Sequence, residues 1–393
     1  SQPAPQPTPQ PTPQPTPQQQ QQVAKTANKN GDSQQQQKAL SEIRTKWLQA
    51  GQMLGLPVIC VKGIPYLNLQ RVGVGGSSKV YKVLSPINNA LYALKVVSLE
   101  DLEESVLEQY MNEVKLLHSL TQRARQLAAE TAKNNGNVAH SNPIIELIDF
   151  ETTPDKKMLL IVLEFAEQDL HRVVRNYGGT LLSDIQMLRY CWAGMLRAVA
   201  AVHENRIVHG DLKPANFVMV KGQIKIIDFG IAKAIQSSNT TNIVRDCIVG
   251  TINYLAPEAI KGGGGGKHLL RRSSDIWSLG CILYQLVYGH PPFHHYTSLY
   301  EKLAAIPNEN VRIEYPPIKD RLPPGINPDV ADQLHDILHR CLRRDPHERI
   351  TIPGTLAYFC GRLTAHSPCL CVSELLAHPF LDGTGVVKND NHR

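Results

Sequence analysis

Two carboxylates, an amide and an ammonium lie close together between residues 209 and 230, at Asp211, Asp228, Asn216 and Lys213. Apolar runs flank them on both sides, so a loop at a strand edge is expected to hold them. An aspartate there can accept the proton of a hydroxyl group, and a lysine can neutralise a phosphoryl group during its transfer. An asparagine oxygen and a second carboxylate are ligands that hard cations such as Mg²⁺ prefer. These residue types at this spacing predict a phosphoryl-transfer site.

Elements earlier in the chain are expected to hold the phosphate donor. β-Branched residues and alternation predict strands at Tyr66 to Val72, Val80 to Leu84 and Leu91 to Val97. The segment from Gly73 to Lys79, between the first two strands, is rich in glycine, which lets backbone amides approach a phosphate group closely. A plain hairpin turn would also use glycine, so this segment by itself leaves both interpretations open.

A charged pair is predicted beside the third strand. Lys95 shares a strand face with Ala93 and Val97, and Glu113 lies in the apolar stripe of the following helix. Because a charge among apolar neighbours requires a partner, Lys95 and Glu113 are predicted to form an ion pair. The alternative, in which each side chain extends separately to solvent, is common for a single lysine or glutamate.

The second half of the chain is predicted to be mainly helical. Residues 121–142 are polar and are interpreted as a surface insertion, and the apolar run from Met158 to Ala166 as a buried strand. A capping-box spacing from Ser183 to Gln186 predicts the start of a helix that leads to the loop at residue 209. The run from Asp275 to Tyr288 is apolar on nearly every side, which predicts a helix buried in the core.

The sequence His209-Gly-Asp-Leu-Lys-Pro-Ala-Asn216, followed by Asp228-Phe-Gly230, resembles the catalytic loop and the DFG motif of protein kinases. A chance turn would not explain the order and spacing of these motifs. The remaining kinase motifs follow the same order, with Gly73, Gly75, Lys95 and Glu113 before the loop and Ala256-Pro-Glu258 after it. The resemblance implies an α+β, two-lobed kinase fold. It has a small antiparallel β-rich N-lobe with one main helix and a larger, mostly helical C-lobe.

The kinase resemblance also implies roles for individual residues. The implied catalytic residues are Asp211 as the base, Lys213 on the γ-phosphate, Asn216, and Lys95 held by Glu113, and the implied Mg²⁺ ligands are Asn216 and Asp228. Leu163 would be the gatekeeper, and the backbone around Glu164 and Ala166 would bind adenine. The implied ATP contacts are Gly73, Gly75, Gly76, Val80, Ala93, Lys95, Leu163, Glu164, Ala166 and Val218.

More specific motifs resemble the monopolar spindle kinase (TTK) family of dual-specificity kinases. They lie at 75–80, 208–217, 227–232, 249–254 and 274–283. Two departures from the common kinase pattern also fit this family, since Ser78 replaces the third loop glycine and Gly210 replaces the catalytic-loop arginine. The resemblance implies phosphorylation of protein substrates on Ser, Thr and Tyr. It also implies kinetochore partners, a spindle-checkpoint role, and a location in the nucleus or cytoplasm, at the kinetochore or spindle.

Gly210 has a consequence for regulation. Many kinases use an arginine at this position to bind an activation-loop phosphate, so activation of this chain is expected to be organised differently. Glu258 and Arg349 match the ion pair that ties the activation segment to the larger lobe in kinases. The candidate phosphosites, which the family resemblance implies are autophosphorylated, are Thr240, Thr241 and Thr251. A flexible polar loop is the alternative for the first two, and substrate positioning is a further role for the third.

Composition excludes other classes of function. The net charge of +6, from 41 basic and 35 acidic residues, is too mild and dispersed to indicate a nucleic-acid partner. No apolar run reaches the about 20 residues of a membrane span, and no signal peptide begins the sequence, so no membrane association is expected. Eight cysteines without a disulfide spacing favour a reducing compartment, so a soluble intracellular protein is expected.

The domain boundaries follow from composition. Residues 1–38 are a Pro/Gln-rich linker expected to be disordered, with an SH3-type ligand as the alternative. Residues 39–62 are an amphipathic helix and a connector, and the helix either packs on the domain or presents Trp47 to a partner. The N-lobe is assigned to 63–164, the C-lobe to 165–382 and a flexible tail to 383–393. Ser1 in place of methionine suggests a piece of a longer chain.

Residues 354–373 interrupt an otherwise continuous kinase-like sequence. We interpret them as a retained intron, a gene-model error or a lineage-specific loop. The four candidate zinc ligands inside the segment follow no standard spacing, and they are Cys360, His366, Cys369 and Cys371. Two alternatives to the whole assignment stay open: a pseudokinase scaffold, and an active Ser/Thr kinase without a spindle role. No catalytic residue is missing, which argues against the scaffold. These patterns do not determine the oligomeric state.

Overall fold

The computed structural model describes residues 38, 40–75, 78–100, 102–135, 142–155, 157–228, 252–261, 271–350 and 375–382. Some predictions lie outside these residues. They concern the linker over residues 1–37, Gly76, the end of the DFG motif, the three candidate phosphosites, the insertion 354–373 and the tail 383–393. The chain divides into two compact units, one formed by residues 1–74 with 80–92 and the other by residues 75–79 with 93–393.

The first unit contains a helix, α1, over residues 40–54. It packs closely on strand β1 (Val58–Val61): a Cβ atom added to Gly51 would lie only 2.6 Å from Val58 Cγ2. Only glycine allows the helix backbone to approach so near. Trp47 is partly buried, so the structure favours the interpretation in which this helix packs on the folded unit.

Antiparallel strands form the β-rich part of the molecule. Strand β1 pairs with β2 (Ile64–Val74), with Val58 opposite Leu67, and β3 (Ser78–Leu84) follows β2 in the sheet. Strand β4 (Leu91–Ser98), most of which lies in the second unit, neighbours β6 (Met158–Glu164), and β6 neighbours β5 (Leu147–Thr152). The three strands predicted around the glycine-rich segment are confirmed.

Helix α2 (Glu104–Asn135) separates β4 from β5 along the chain and is longer than the sequence suggests. A surface insertion was expected from residue 121 onward, but the helix continues through it to residue 135. Alanine, arginine and glutamine are frequent here, and their intrinsic helix propensity favours a helix even at exposed positions. The exposure of Arg123 and Arg125 agrees with the expected surface position.

The remaining elements are mainly helical, and with the strands they confirm the predicted kinase fold class. They are β7 (Gln168–Asp169), α3 (Leu170–Asn176), α4 (Ile185–Glu204), a 3-10 turn (Pro214–Asn216), β8 (Phe217–Val220), β9 (Gln223–Ile226), a 3-10 turn (Ile252–Tyr254), α5 (Pro257–Lys261), α6 (Arg272–Tyr288), α7 (Leu299–Ala305), a 3-10 turn (Lys319–Arg321), α8 (Asp329–Cys341) and α9 (Pro379–Asp382). In the described part of the chain, none of the helices combines the length and the apolar character needed to cross a membrane.

Helix α6 lies in the core, as its apolar sequence predicts. Trp277, Leu279 and Ile282 are fully buried. The start of α4 differs by one residue from the capping box predicted at Ser183. Asp184 is the N-cap instead, and its carboxylate accepts the N–H of Met187 at 2.9 Å. An aspartate is an equally good acceptor in that position.

Candidate active site

A buried carboxylate on α6 holds the backbone of the loop that begins at His209. Asp275 is 1% exposed, and its two oxygens accept the backbone N–H groups of His209 and Gly210, both at 2.9 Å. His203 Nε2 lies 2.7 Å from the same carboxylate. This role of Asp275 was not predicted from the sequence. The available signal was an aspartate inside a helix that is otherwise apolar on nearly every side.

His209 links the loop to the end of β9 as a neutral imidazole. Its Nδ1 accepts the backbone N–H of Asp211 at 3.3 Å, so its Nε2 carries the hydrogen that is donated to the carbonyl of Ile227 at 3.2 Å. Burial lowers the pKa of His209 below its ordinary value, against the opposing effect of Asp275. The imidazole therefore fixes the spacing between the segments that carry Asp211 and Asp228.

Gly210 occupies a backbone conformation that suits glycine. Its φ is +73°, in the left-handed region where a side chain is unfavourable. The residue that distinguishes this loop from the common kinase pattern thus avoids strain next to Asp211.

Replacing Gly210 with alanine is expected to lower the free energy of unfolding by about 1–2 kcal/mol, because a Cβ atom is unfavourable at positive φ. Chemical denaturation of the two proteins measures the difference. Gly222, at φ +74° in the turn between β8 and β9, is the matched control, and its alanine variant should show a loss of the same size. A Gly210 variant as stable as the parent would contradict the strain argument.

Three of the predicted catalytic residues meet on this loop. Lys213 Nζ lies 3.1 Å from Asp211 Oδ2, and Asn216 Nδ2 donates to the backbone carbonyl of Asp211 at 2.8 Å. Asp211 and Asn216 are buried, whereas the Lys213 side chain is 28% exposed. The amide nitrogen of Asn216 is thus engaged by the loop, whereas metal binding through its oxygen stays a prediction. The loop thus carries a buried carboxylate, a partly exposed ammonium and a buried amide close together.

Lys95 and Asp228 form an ion pair at the edge of this cluster. Lys95 Nζ donates to Asp228 Oδ1 at 2.7 Å. Burial opposes the charge on Lys95, but the carboxylates of Asp228 and Glu113 raise its pKa above the ordinary value. Glu113 therefore interacts electrostatically with Lys95, while the direct ion pair between these two side chains stays a prediction. For Asp228, partial burial opposes ionisation, but Lys95 holds the pKa below the ordinary value.

Acidification is expected to remove the ion pair of Lys95 with Asp228. Because the pKa of Asp228 lies below its ordinary 3.8, the stabilisation is fully present above that value and is lost as the pH falls through the folded-state pKa. The raised pKa of Lys95 has the opposite sign, so its contribution is complete below 10.5 and is lost only in more alkaline solution. The pair is therefore intact near neutral pH.

Comparing Lys95→Met with the parent protein tests this pH dependence. The parent should lose more unfolding free energy than the variant between about pH 5 and pH 2, measured by chemical denaturation at each pH. The difference should be modest, because the Asp228 side chain is 46% exposed and water screens the pair. Lys157→Met, which removes an exposed ion pair with Glu100, is the control and should follow the parent. Equal losses in the parent and Lys95→Met would contradict the argument.

Four of the residues predicted to contact ATP lie on β6, on β8 and in the segment that follows β6. Leu163 and Ala166 are partly buried against the core, and Val218 on β8 is 6% exposed. No acceptor within the described part of the chain takes the backbone N–H of Ala166, so this donor is available to a ligand. Ala93, predicted to contact ATP, lies on β4, which neighbours β6 in the sheet.

The described residues of the glycine-rich segment lie at the end of β2, at Gly75 and at the start of β3. Gly75 donates its N–H to the carbonyl of Ser78 at 2.7 Å. A Cβ atom on Gly73 would lie 3.5 Å from Val80 Cβ, which is an ordinary contact. Gly73 thus lies on β2, Val80 on β3, and Gly75 directly after β2. Their contact with ATP stays a prediction, as does that of Gly76.

The predicted pair of Glu258 and Arg349 is confirmed. Two guanidinium nitrogens of Arg349 donate to the two oxygens of Glu258 at 2.6 and 2.7 Å. Ser274 Oγ donates to the same carboxylate at 2.8 Å. Burial opposes ionisation of Glu258, but Arg349 holds its pKa below the ordinary value. This bidentate pair joins α5, which follows the segment containing the candidate phosphosites, to the segment after α8.

The chain matches known protein kinases over most of its length. The protein kinase domain family matches residues 66–360, well over half of the chain. A probable serine/threonine-protein kinase mps1 from Dictyostelium discoideum is 44% identical over 303 residues, which cover 76% of this chain and 28% of the relative. The Schizosaccharomyces pombe serine/threonine-protein kinase mph1 is 39% identical over 341 residues, which cover 83% of this chain and 44% of the relative.

A mammalian relative extends the comparison. The dual specificity protein kinase TTK from Mus musculus is 38% identical over 331 residues, which cover 83% of this chain and 35% of the relative. The chain thus spans less than half the length of these three relatives. They confirm the resemblance to the TTK family. A protein kinase domain implies the use of ATP and a divalent metal.

Proposed function

Because the chain belongs to the protein kinase family, we propose that it transfers the γ-phosphoryl group of ATP to Ser and Thr hydroxyls of proteins, and also to Tyr. The observation that carries this proposal is the cluster of Asp211, Lys213 and Asn216 on a loop anchored by the buried Asp275. The ion pair of Lys95 with Asp228 adds the groups that would meet the phosphates and the metal.

Each side chain of the cluster has a role in this proposal. Asp211 accepts the proton of the substrate hydroxyl as the hydroxyl oxygen attacks the γ-phosphorus. The bond between the γ-phosphorus and the β-phosphate oxygen breaks, and ADP leaves. Lys213, 3.1 Å from Asp211, balances the negative charge that spreads over the transferred group. Lys95, with Asp228 and Glu113 as its acidic neighbours, is positioned to bind the α- and β-phosphates.

The residues present fit Mg²⁺ as the metal. Asn216 offers an amide oxygen, and Asp228 offers a carboxylate that stays ionised because Lys95 lowers its pKa. Mg²⁺ commonly takes one or two protein oxygens and completes its shell with phosphates and water. When bound, the metal would neutralise charge on the transferring phosphates.

Incubation of the purified chain with radiolabelled ATP, Mg²⁺ and a generic protein substrate tests the proposal. Labelled Ser, Thr and Tyr should appear in the substrate, and label in the chain itself should map to Thr240, Thr241 or Thr251. Chelation of the metal with EDTA should abolish labelling. Binding of ATP without any transfer would favour the alternative, a pseudokinase scaffold.

We further propose that the protein serves in the spindle checkpoint at kinetochores and acts in the nucleus or cytoplasm. The similarity of its kinase domain to mps1, mph1 and TTK supports this role. In cells depleted of the endogenous protein, the full-length active form should restore mitotic arrest after microtubule depolymerisation, and an inactive form should not. Arrest restored equally by both forms would assign the role to scaffolding, and arrest restored by neither would indicate a kinase outside the checkpoint.

A further inference from the structure

A buried ion pair lies behind the segment proposed to bind adenine. Lys225 on β9 donates from Nζ to Glu164 Oε1 at 2.5 Å. The side chain of Lys225 is 9% exposed and that of Glu164 is 16% exposed, so water screens the pair poorly. From the sequence, only the backbone of Glu164 was predicted to have a role, and Lys225 none.

The same carboxylate also ties down the neighbouring backbone. Glu164 Oε1 accepts the N–H of Glu146 at 2.8 Å, and the N–H of Glu164 donates to the carbonyl of Glu146 at 3.0 Å. These contacts use the side chain and the N–H of Glu164 within the protein. Two residues further on, the N–H of Ala166 has no protein acceptor among the described residues.

The lysine end of the pair lies at a second proposed ATP contact. Lys225 is directly opposite Val218 in the antiparallel pairing of β8 with β9. Opposed residues of antiparallel strands project on the same face of a sheet. The ion pair therefore connects the strand that carries Val218 and its neighbour to the end of β6.

A second ion pair, closer to the surface, also involves Glu146. Arg125 on α2 donates to Glu146 Oε1 at 2.5 Å, but these side chains are 55% and 32% exposed. Exposed ion pairs contribute little, whereas removing one member of a buried pair leaves a charge without compensation. The buried pair of Lys225 with Glu164 is thus expected to control the geometry of this segment. The exposed pair of Arg125 with Glu146, here called the outer pair, is not.

We propose that Lys225 is a positioning residue for the nucleotide: its ion pair with Glu164 fixes the backbone from 164 to 166 in the geometry that binds adenine. This role rests on the proposed kinase function. It acts on nucleotide affinity and leaves the phosphoryl-transfer step to the loop at Asp211.

Lys225→Met tests the proposal in the full chain. We expect the KM for ATP and the Kd for ADP to rise about tenfold, because the adenine donor is misaligned. The kcat and the KM for the protein substrate should change less than about twofold. Glu164→Gln, which keeps an acceptor for Glu146, should shift ATP and ADP binding in the same direction, and it decides the question if Lys225→Met does not fold.

Two control variants separate positioning from general destabilisation. Lys157→Met removes an exposed lysine paired with Glu100, and Arg125→Met removes the exposed pair with Glu146. Neither variant should change the affinity for ATP more than about twofold. A Kd for ADP that is the same in Lys225→Met as in the parent would overturn the proposal. If that variant also unfolds at a lower temperature, Lys225 has a purely structural role. A fall in kcat at constant KM for ATP would also overturn it.

Calorimetric titration with ADP keeps this inference distinct from the kinase proposal. If the parent protein transfers no phosphate but binds ADP, the kinase proposal fails while the comparison of Kd values still decides the role of Lys225. If the parent binds no ADP, both fail.

Discussion

Replacing Asp211 with alanine is expected to lower kcat by about 10²–10⁴-fold, the usual contribution of a positioned general base. Asp211 is the only carboxylate on the described part of this loop, and Lys213 lies 3.1 Å from it. Alanine removes the proton acceptor, whereas the proposed adenine contacts lie on other elements. Steady-state phosphorylation of a protein substrate measures kcat, and calorimetry measures ADP affinity.

ADP affinity should remain within about threefold of the parent value, since Asp211 is assigned to the transfer step alone. Asp211→Asn is the matched variant, because it keeps the size of the side chain and removes its basicity. Both variants should lose activity to a similar degree. Turnover close to that of the parent in either one would overturn the assignment of Asp211 as the base.

The catalytic residues themselves could be predicted because their types and order are local in sequence. Asp211, Lys213 and Asn216 lie within one loop, and their chemistry can be inferred without knowing what surrounds them. Asp275 could not be assigned in this way. Its function is to accept the N–H groups of His209 and Gly210, and only the folded core brings α6 beneath the loop.

Lys225 could not be predicted from its strand pattern. In Gln223-Ile-Lys-Ile226, alternation groups Lys225 with the polar Gln223, which is typical of a solvent-facing side chain. The structure leaves Gln223 exposed and buries Lys225, because Glu164 supplies the compensating charge. Similarly, α2 continues past residue 121 although the sequence there lacks the apolar stripe by which buried helices are recognised.

Arg349→Met is expected to lower the free energy of unfolding by about 3–5 kcal/mol, the usual cost of breaking a buried ion pair by removing one partner. The Arg349 side chain is 0% exposed and that of Glu258 is 15% exposed. Arg349 also donates to the backbone carbonyls of Ser273, Arg343 and Arg344, so its loss leaves several acceptors without their partner. Chemical denaturation measures the difference.

Arg343→Met provides the matched control for this loss. Arg343 forms an ion pair with Glu348 at 3.5 Å, but the two side chains are 56% and 60% exposed, so its removal should cost only about 0–1 kcal/mol. Adding Glu258→Gln to Arg349→Met should recover part of the stability, because the buried negative charge is removed as well. If the double variant is no more stable than Arg349→Met, the uncompensated carboxylate is not the source of the loss. The backbone contacts of Arg349 would then account for it.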